Sequence, residues 1–340
     1  MIVWIGFILF IFLLLALDLG VFNREPHKIT TKEALKWTSL WVGVALLFSV
    51  FIYFSYENHW LGIGHTVGHD LGGMNAALLY LTGFVIEKSL SMDNIFVMAV
   101  IFGYFQIPQK FQHRVLFWGI LGALFFRGVM IGAGAYLVER FEVVVYVFGA
   151  ILIWTAYKML NSGTDDIRPG DNPAVAQLRK FLPITKSLKQ QQFFIKRGGR
   201  LVAMTPIFVA LVVIETTDIM FAFDSIPAIF AITTDPFLVF TSNIFAILGL
   251  RSLYFVLASI LDKFHHVKYS LAAILAFVGI KMLVFHPLDI EIPVWVSLSV
   301  IVLLLGGGIG YSWFQQKKSN VEGKKEGNGH EMTQSAGHNT

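Results

Sequence analysis

The stretch IEKSLSMDNIF (residues 86–96) interrupts a long apolar run, with AALLYLTGFV before it and VMAVIFGYF after it. It carries three charged residues and an amide, which are Glu87, Lys88, Asp93 and Asn94. An ionisable side chain at the centre of a bilayer costs at least ~2.5 kcal/mol on insertion scales, so it needs a partner or a hydrated cavity. The stretch therefore predicts a membrane helix whose charges pair or bind something.

The composition of the whole chain is that of a membrane protein. Of 340 residues, 56% are hydrophobic and 14% are charged, whereas about a quarter are charged in soluble domains. Apolar segments of membrane-spanning length recur along the chain, and the lipid bilayer is the expected partner. We expect nine spans, at residues 2–22, 37–56, 76–105, 115–138, 143–160, 202–231, 237–261, 268–285 and 292–314. The predicted fold class is an all-α, polytopic membrane helical bundle.

Several function classes are excluded or disfavoured. The chain has no cysteine, which excludes disulfides, thiolate metal sites and cysteine nucleophiles. Its basic residues lie in short loops between apolar segments, so we expect no nucleic acid partner. Neither a nucleophile–base constellation nor a phosphate-binding loop is present in the sequence. We therefore expect no enzyme and no permanent cofactor.

The basic residues also predict orientation. Twenty of the 26 Lys and Arg residues lie in alternate loops and the C-terminal tail, while the loops of the opposite side hold only Arg140. The positive-inside rule then places the N-terminus outside and the C-terminus in the cytoplasm. The first segment has no basic region before its apolar run, so we interpret it as a retained helix. The tail from about residue 315 is polar and is expected to be disordered.

The chain contains an internal repeat. Residues 148–160 (FGAILIWTAYKML) resemble 271–284 (LAAILAFVGIKMLV), and 119–127 (GILGALFFR) resemble 246–251 (AILGLR). The opening motif aligns with TDIMFAFDS (217–225), so that Glu87 pairs with Asp218, Asp93 with Asp224, and Asn94 with Ser225. Each copy holds three spans, and two adjacent copies with an odd number of spans cross the membrane in opposite directions. This inverted-topology repeat is found in many secondary transporters, although duplication alone is also compatible with ancestry without transport.

The repeat divides the chain into six segments: two N-terminal helices (1–72), the first three-helix copy (73–160), a cytoplasmic loop (161–201), the second, inverted copy (202–286), a final helix (287–314) and the tail (315–340). The cytoplasmic loop mixes basic and apolar residues. It is interpreted either as an interfacial amphipathic segment or as an ordinary loop that follows the positive-inside rule.

Eight ionisable residues lie near the centres of the predicted spans: Glu87, Lys88, Asp93, Arg127, Glu215, Asp218, Asp224 and Arg251. Five acids and three bases leave a formal charge of −2, which one divalent cation, or protonation of two carboxylates, would neutralise. The available donors are all oxygen, and such ligands suit hard cations such as Mn²⁺, Mg²⁺ or Ca²⁺.

Helix geometry separates the acids of the motif. Glu87, Ser91 and Asn94 follow at i, i+4 and i+7 and share one face of a continuous helix. Asp93 points about 120° away from Glu87. Either the two acids have different roles, or the helix breaks at SLSMD and they converge. In the second copy, Pro227 would free a carbonyl beside Asp224.

The remaining polar residues have structural alternatives. We expect Arg127 and Arg251 each to pair with a carboxylate, and pairing is also an alternative role for Asp93 and Asp218. Snorkelling explains two lysines near span ends, Lys158 and Lys281. Asp18 lies near the cytoplasmic end of the first helix and either lines an exit or is solvated. The predicted outer loop GIGHTVGHD contains His65, His69 and Asp70, which either gather a metal or form a polar loop.

Three blocks resemble the TerC family of integral membrane proteins, closest to its Alx branch: IEKSLSMDNIFV, QHRVLFWGILGALFFR and FAFDSIPAIFAITTDPFLVFTSNIFAILGLRSLYF. The resemblance runs from about residue 10 to 285. It implies a bacterial inner-membrane protein, tellurite resistance in name, metal-ion homeostasis and especially manganese efflux in function, and kinship with LysE-like exporters. The acidic motif residues of the family fall on Glu87, Asp93, Asp218 and Asp224, with Asn94 and Ser225 following.

The leading expectation is a cation exporter that binds Mn²⁺ between the third and sixth spans. The expected ligands are the four motif acids, assisted by Asn94, Ser225 and Asn243, and protons that compete for the carboxylates would drive export. Glu215 or Asp18 could relay those protons. The alternatives are a non-transporting membrane subunit that uses its buried charges to hold helices together, and a LysE-like exporter of an organic cation.

Overall fold

Long helices make up most of the fold, which a computed structural model describes over residues 2–20, 30–161, 172–180, 183–185, 192–197, 200–258, 267–288, 290 and 292–312. The elements are α1 (Ile2–Gly20), α2 (Thr31–Glu57), α3 (Gly73–Tyr104), α4 (Gln109–Arg140), α5 (Val143–Asn161), α6 (Pro173–Arg179), β1 (Phe194–Arg197), β2 (Arg200–Met204), α7 (Pro206–Phe230), α8 (Pro236–Ile247), α9 (Leu250–Ala258), α10 (Val267–Ile280) and α11 (Val294–Ser312). The predicted disordered tail, 315–340, lies outside the described residues.

The helices confirm the prediction of an all-α polytopic membrane bundle. Six of them are long and apolar enough to cross a membrane: α2, α4, α5, α7, α11 and the helix of α10 with its π-helical continuation, which together run over Lys268–Phe285. The bent pair α8–α9 brings the number to seven. The other two predicted spans correspond to α1, whose apolar part is shorter, and to the 32-residue α3, which carries the charged motif.

The predicted cytoplasmic loop contains regular structure that the sequence analysis did not predict. Helix α6 begins at Pro173, where the Asn172 side chain accepts a hydrogen bond from the amide of Ala174. Strands β1 and β2 pair antiparallel, with Phe194 opposite Met204. Both elements precede α7, and the membrane-interface role considered for this loop stays a prediction.

Each helix of the first predicted three-helix copy packs against helices of the second copy. Helix α3 packs on α8 and α4 packs on α7, while α5 packs on α10 and α3 on α7. At the α5–α10 contact, glycines allow close approach: a Cβ added at Gly279 would lie 3.1 Å from the carbonyl oxygen of Gly149. Small residues at such contacts are typical of membrane helix pairs. A two-fold relation between the copies would pair the first helix of each copy with the second helix of the other, as α3–α8 and α4–α7 do. The inverted topology itself stays a prediction.

The helix breaks lie elsewhere than predicted. Helix α3 is continuous through SLSMD, and α7 continues to Phe230 with Pro227 in its last turn. Of the two alternatives for the motif, a break at SLSMD is therefore wrong, and different roles for Glu87 and Asp93 stay a prediction; Pro227 does not break α7. The break instead separates α8 from α9, which meet at 44°. There Gly249 adopts φ +78°, which favours glycine, and a Cβ added to it would lie 2.7 Å from the Cβ of Trp41.

Candidate cation site and buried charge network

Arg127, in the middle of α4, joins two helices through their acids. Its Nη1 contacts Glu87 Oε1 on α3. Its Nε and Nη2 donate to Asp218 Oδ2 and Oδ1 on α7, at 3.2 and 3.1 Å, and Nη1 also lies 3.2 Å from Ser225 Oγ. Arg127 is 1% exposed, Glu87 is 0% exposed and Asp218 is 5% exposed. Bidentate arginine–carboxylate contacts are strong and directional, so this network fixes α3, α4 and α7 relative to one another.

The network has an excess of negative charge and unsatisfied oxygen atoms. Two acids face one arginine, and Asn94 Nδ2 adds a longer hydrogen bond of 3.4 Å to Asp218 Oδ1. Glu87 Oε2 and Ser91 Oγ are buried without a hydrogen-bond partner among the described residues. Most buried polar atoms in proteins have a partner. Since α3 is continuous, both oxygens lie on the face that the sequence spacing predicts.

Asp93 belongs to a second group of residues. It is partly buried and lies within range of the charge of Asp224 on α7. Asp224 accepts a hydrogen bond of 2.7 Å from Thr155 on α5, and Lys158, which is exposed, lies within range of its charge. The structure therefore divides the four motif acids into two pairs, Glu87 with Asp218 and Asp93 with Asp224. Each pair takes one acid from each predicted copy.

Lys88 is hydrogen-bonded to backbone rather than to an acid. Its Nζ lies 3.1 Å from the carbonyl oxygen of Ala246 and 3.5 Å from that of Leu248. These carbonyls belong to the end of α8, where helical hydrogen bonding stops. A cation at a helix C-terminus also complements the helix dipole. Lys88 thus stabilises the break between α8 and α9.

Glu215 and Asn243 are further buried polar groups near these helices. The carboxylate of Glu215 lies directly against Gly122 of α4, where a Cβ would overlap it, and within range of the charge of Asp218. Its Oε2 has no hydrogen-bond partner among the described residues. Asn243 on α8 is fully buried, and neither amide atom has a described partner.

The contacts that the structure describes for the other predicted residues are with groups outside the network. Arg251 Nη1 lies 3.0 Å from His113 Nε2, so the contact seen for this arginine is with an imidazole. The side chain of Asp18 lies outside the described part of the chain. Of the predicted loop residues, His65 and Asp70 group with His59 rather than with His69.

Thr155 and Asp235 are polar positions near these helices that were not predicted from the sequence. Thr155 lies three residues before Lys158 and so shares its helix face, but a single threonine in an apolar helix is a weak signal. Asp235 is fully buried and accepts hydrogen bonds from the amides of Phe237 and Leu238 at 2.9 and 3.0 Å. The sequence Asp–Pro at positions 235 and 236 is a helix N-terminus signal that could have identified it.

The fold and the buried network together define a multi-pass helical membrane protein with a charged centre. The model of the "Integral membrane protein TerC family" matches residues 73–320, and the chain belongs to the TerC family. The match extends past residue 285 and so includes α11.

The relatives of the chain cover nearly its whole length. An "Uncharacterized membrane protein STKORF319" of Myxococcus xanthus is 47% identical over 306 residues, 90% of each chain. The "Putative membrane-bound redox modulator Alx" of Escherichia coli (strain K12) is 40% identical over 319 residues, 92% of this chain and 97% of the relative. The protein of the same name from Salmonella typhi is 43% identical over 303 residues, 89% and 91% of the two chains. These matches confirm the predicted family and its Alx-like branch. No solved structure matches the chain significantly.

Proposed function

We propose that the protein exports a divalent metal cation, with Mn²⁺ favoured, in metal-ion homeostasis. The observation that carries this proposal is the pairing of Asp93 with Asp224. The two acids come from corresponding positions of the two copies, and Asp93 lies within range of the charge of Asp224. Neither accepts a hydrogen bond from an arginine in the described part of the chain.

The chemistry of this pair suits a divalent cation. Two ionised carboxylates carry a charge of −2, and Thr155, which donates to Asp224 at 2.7 Å, adds a hydroxyl oxygen beside them. All these donors are hard oxygen ligands, which favour Mn²⁺ or Mg²⁺ over softer metals. Like-charged acids in a membrane helix are costly without a partner, and a bound cation would remove that cost.

The Arg127 network supplies a second group of oxygen atoms. Glu87 Oε2 and Ser91 Oγ, both unpartnered, and the amide of Asn94 are donors that a cation could use when the copies rearrange. Ser225 and Asn243 are proposed to assist from α7 and α8. In transporters with repeats, movement of one copy against the other alternates access to a central site.

Proton competition is the proposed driving force. Carboxylates that hold a cation also take protons, so an inward proton flow would displace the cation outward. Glu215 is the proposed relay within the network, since its carboxylate lies within range of Asp218. Asp18 remains a proposed relay from its sequence position alone.

The proposed setting is the bacterial inner membrane, with the N-terminus outside and the C-terminus in the cytoplasm. The loop charges support this orientation. Membership of this integral membrane protein family supports the membrane setting, and a role in metal stress is proposed with it. Because the chain has no cysteine, a redox effect like that in the name of the Alx relatives would not pass through its own thiols.

Reconstituted vesicles test the proposal. Proteoliposomes loaded with a Mn²⁺-sensitive dye should show Mn²⁺ flux that Asp93→Asn and Asp224→Asn each reduce to the level of protein-free vesicles. Thr155→Val should raise the half-saturating Mn²⁺ concentration roughly tenfold, because it removes one hydrogen bond to a charged group. Glu139→Gln, an exposed acid at the end of α4, is the control and should transport normally. Undiminished flux in both Asp variants would refute the assignment.

A second candidate function is a non-transporting membrane subunit, and the Arg127 network favours it because the network already holds three helices together. Under this alternative, replacing the charges of the network with neutral isosteres would preserve function in cells. The organic-cation alternative predicts that lysine or arginine, rather than Mn²⁺, crosses the same vesicles. The first outcome is read in cells and the second from the proteoliposomes.

A further inference from the structure

The loop between α2 and α3 brings two histidines and an acid together. One ligand atom from each of His59, His65 and Asp70 lies within 4.8 Å of the others. His65 and Asp70 are exposed, and His59 is partly buried. The two imidazole rings stack with their centroids 3.9 Å apart and their planes at 26°.

The backbone of the loop is shaped to present these side chains. His59 and Leu61 both adopt left-handed conformations, with φ of +50° and +54°, and such conformations are uncommon for residues other than glycine. A Cβ at Gly64 would lie 3.0 Å from His59 Nδ1, so glycine leaves room for the ring. The amide of Gly64 donates to the carbonyl of Val67 at 2.8 Å, which closes the turn that carries His65.

The loop is also anchored to the bundle at its second half. The amide of His69 donates to Asp235 Oδ2 at 2.6 Å, and the hydroxyl of Tyr56 donates to the same atom at 2.9 Å. Gly68 fits against this contact because a Cβ there would lie 2.6 Å from the Tyr56 hydroxyl. Asp235 is the fully buried N-cap of α8. The position of Asp70, next in sequence, is therefore tied to a rigid part of the fold.

We propose that His59, His65 and Asp70 form a binding site for a divalent transition-metal cation of the zinc type. Two imidazole nitrogens and one carboxylate oxygen, with the remaining position open to water, form a ligand set that Zn²⁺ accepts. Imidazole ligands suit Zn²⁺, Ni²⁺ and Co²⁺ better than Mn²⁺ or Mg²⁺.

The tautomer of His59 agrees with this assignment. Its Nδ1 lies 3.4 Å from the carbonyl oxygen of Ile63, which can only accept a hydrogen bond, so Nδ1 carries the proton in that contact. Nε2 is then the nitrogen that is left to bind a metal. A histidine ligand whose second nitrogen donates to a backbone carbonyl is a common arrangement in metal sites.

The site is independent of the proposed export pathway. Its donor set contains nitrogen, whereas the buried network offers oxygen alone, and its ligands lie in a loop rather than within the helices. Metal bound here would stabilise the loop and, through the contact of His69 with Asp235, the start of α8. Binding to the folded state alone raises the stability of a protein by mass action.

Metal binding to the purified, full-length protein without a polyhistidine tag tests the site. Isothermal titration with Zn²⁺ should give one site that His59→Ala, His65→Ala and Asp70→Asn each weaken more than about tenfold, because loss of even an outer-shell partner costs 10- to 100-fold. His69→Ala is the matched control, since its side chain is outside the cluster and its amide remains. It should bind as the wild type does. At the loop site, measured as the binding that His65→Ala removes, Mn²⁺ should bind at least roughly tenfold more weakly than Zn²⁺.

Two measurements guard against loss of folding in the variants. Each variant should unfold at the wild-type temperature in the absence of metal, and Zn²⁺ should raise that temperature only for the wild type and His69→Ala. Co²⁺ added to the wild type should give the visible absorption bands of a nitrogen- and oxygen-ligated ion. Equal Zn²⁺ affinity in the wild type, His59→Ala and His65→Ala would overturn the proposal, and so would equal weakening by His69→Ala.

Discussion

Replacement of Arg127 by methionine should be the most damaging single change to the stability of the bundle. Methionine keeps an unbranched apolar side chain in the same space but removes the guanidinium that contacts Glu87, Asp218 and Ser225. Both acids would remain buried without a counterion. Removing one partner of a buried ion pair costs about 3–5 kcal/mol.

The expected loss of stability follows from the burial of the two acids and from the number of contacts that Arg127 makes. Glu87 is 0% exposed and Asp218 5% exposed, so water cannot replace the lost guanidinium without opening the helix contacts. Arg127→Lys keeps the charge but loses the planar guanidinium, which donates to both carboxylate oxygens of Asp218. It should lose at least one charge-assisted hydrogen bond, which is about 1.5–3 kcal/mol.

Thermal unfolding in detergent, followed by the fluorescence of the eight tryptophans, measures the effect. Arg127→Met should lower the midpoint temperature by roughly 6 °C or more, as the relation between unfolding free energy and midpoint in larger domains implies. The exposed Arg140→Met is the control and should change stability by less than about 0.5 kcal/mol. The triple variant with Glu87→Gln and Asp218→Asn should recover most of the loss, since it leaves no unpaired buried charge. A single variant as stable as the wild type, or a triple variant no better than the single one, would refute the reasoning.

Three further substitutions test the break and the anchored loop. Gly249→Ala should lower the free energy of unfolding by more than about 1 kcal/mol, because the φ of +78° and the contact with Trp41 both disfavour a Cβ. Gly43→Ala is the control, since nothing lies within 4 Å of a Cβ there, and it should be neutral or stabilising in the same unfolding assay. Lys88→Met should remove about 1.5–3 kcal/mol of hydrogen bonding and accelerate amide exchange at the α8–α9 break, and unchanged exchange there would contradict its role. Asp235→Ala should cost more than about 2 kcal/mol, since it removes a helix cap and two further acceptor contacts, and a near-neutral effect on unfolding would contradict the anchoring argument.

The sequence predicted most of the helices because hydrophobicity and length are local properties. Each predicted span coincides with a helix or a bent pair of helices, within a few residues at most ends. It also predicted that Arg127 needs an acid, since an isolated charge is costly in a membrane. That Arg127 takes both Glu87 and Asp218 could not be predicted, because the contact depends on the packing of α4 against α3 and α7 together.

The position of the break shows where local signals fail. Proline is a strong helix breaker in the interior of a helix, yet Pro227 lies in the last turn of α7, where few helical hydrogen bonds remain to be lost. The actual break depends on Gly249 and on Lys88, which is more than 150 residues away in sequence. The loop of the proposed zinc-type site shows the same limit. Spacing suggested His69, whereas the left-handed turn at His59 brings a different histidine to His65.

The break also lies next to Arg251, the residue that matches Arg127 in the second predicted copy. The sequence match places Arg251 opposite Arg127, and a fully symmetric bundle would bring both guanidinium groups to the two acids. Instead α8 stops at Ile247 and α9 starts at a 44° angle, and Arg251 contacts His113. With two arginines, Glu87 and Asp218 would be neutralised completely and would have no charge left for a cation. With one, the centre keeps a net negative charge and an unpartnered oxygen on Glu87. Under the proposed function, this departure from symmetry leaves negative charge at the centre for a cation, and straightening α8–α9 should then abolish cation binding.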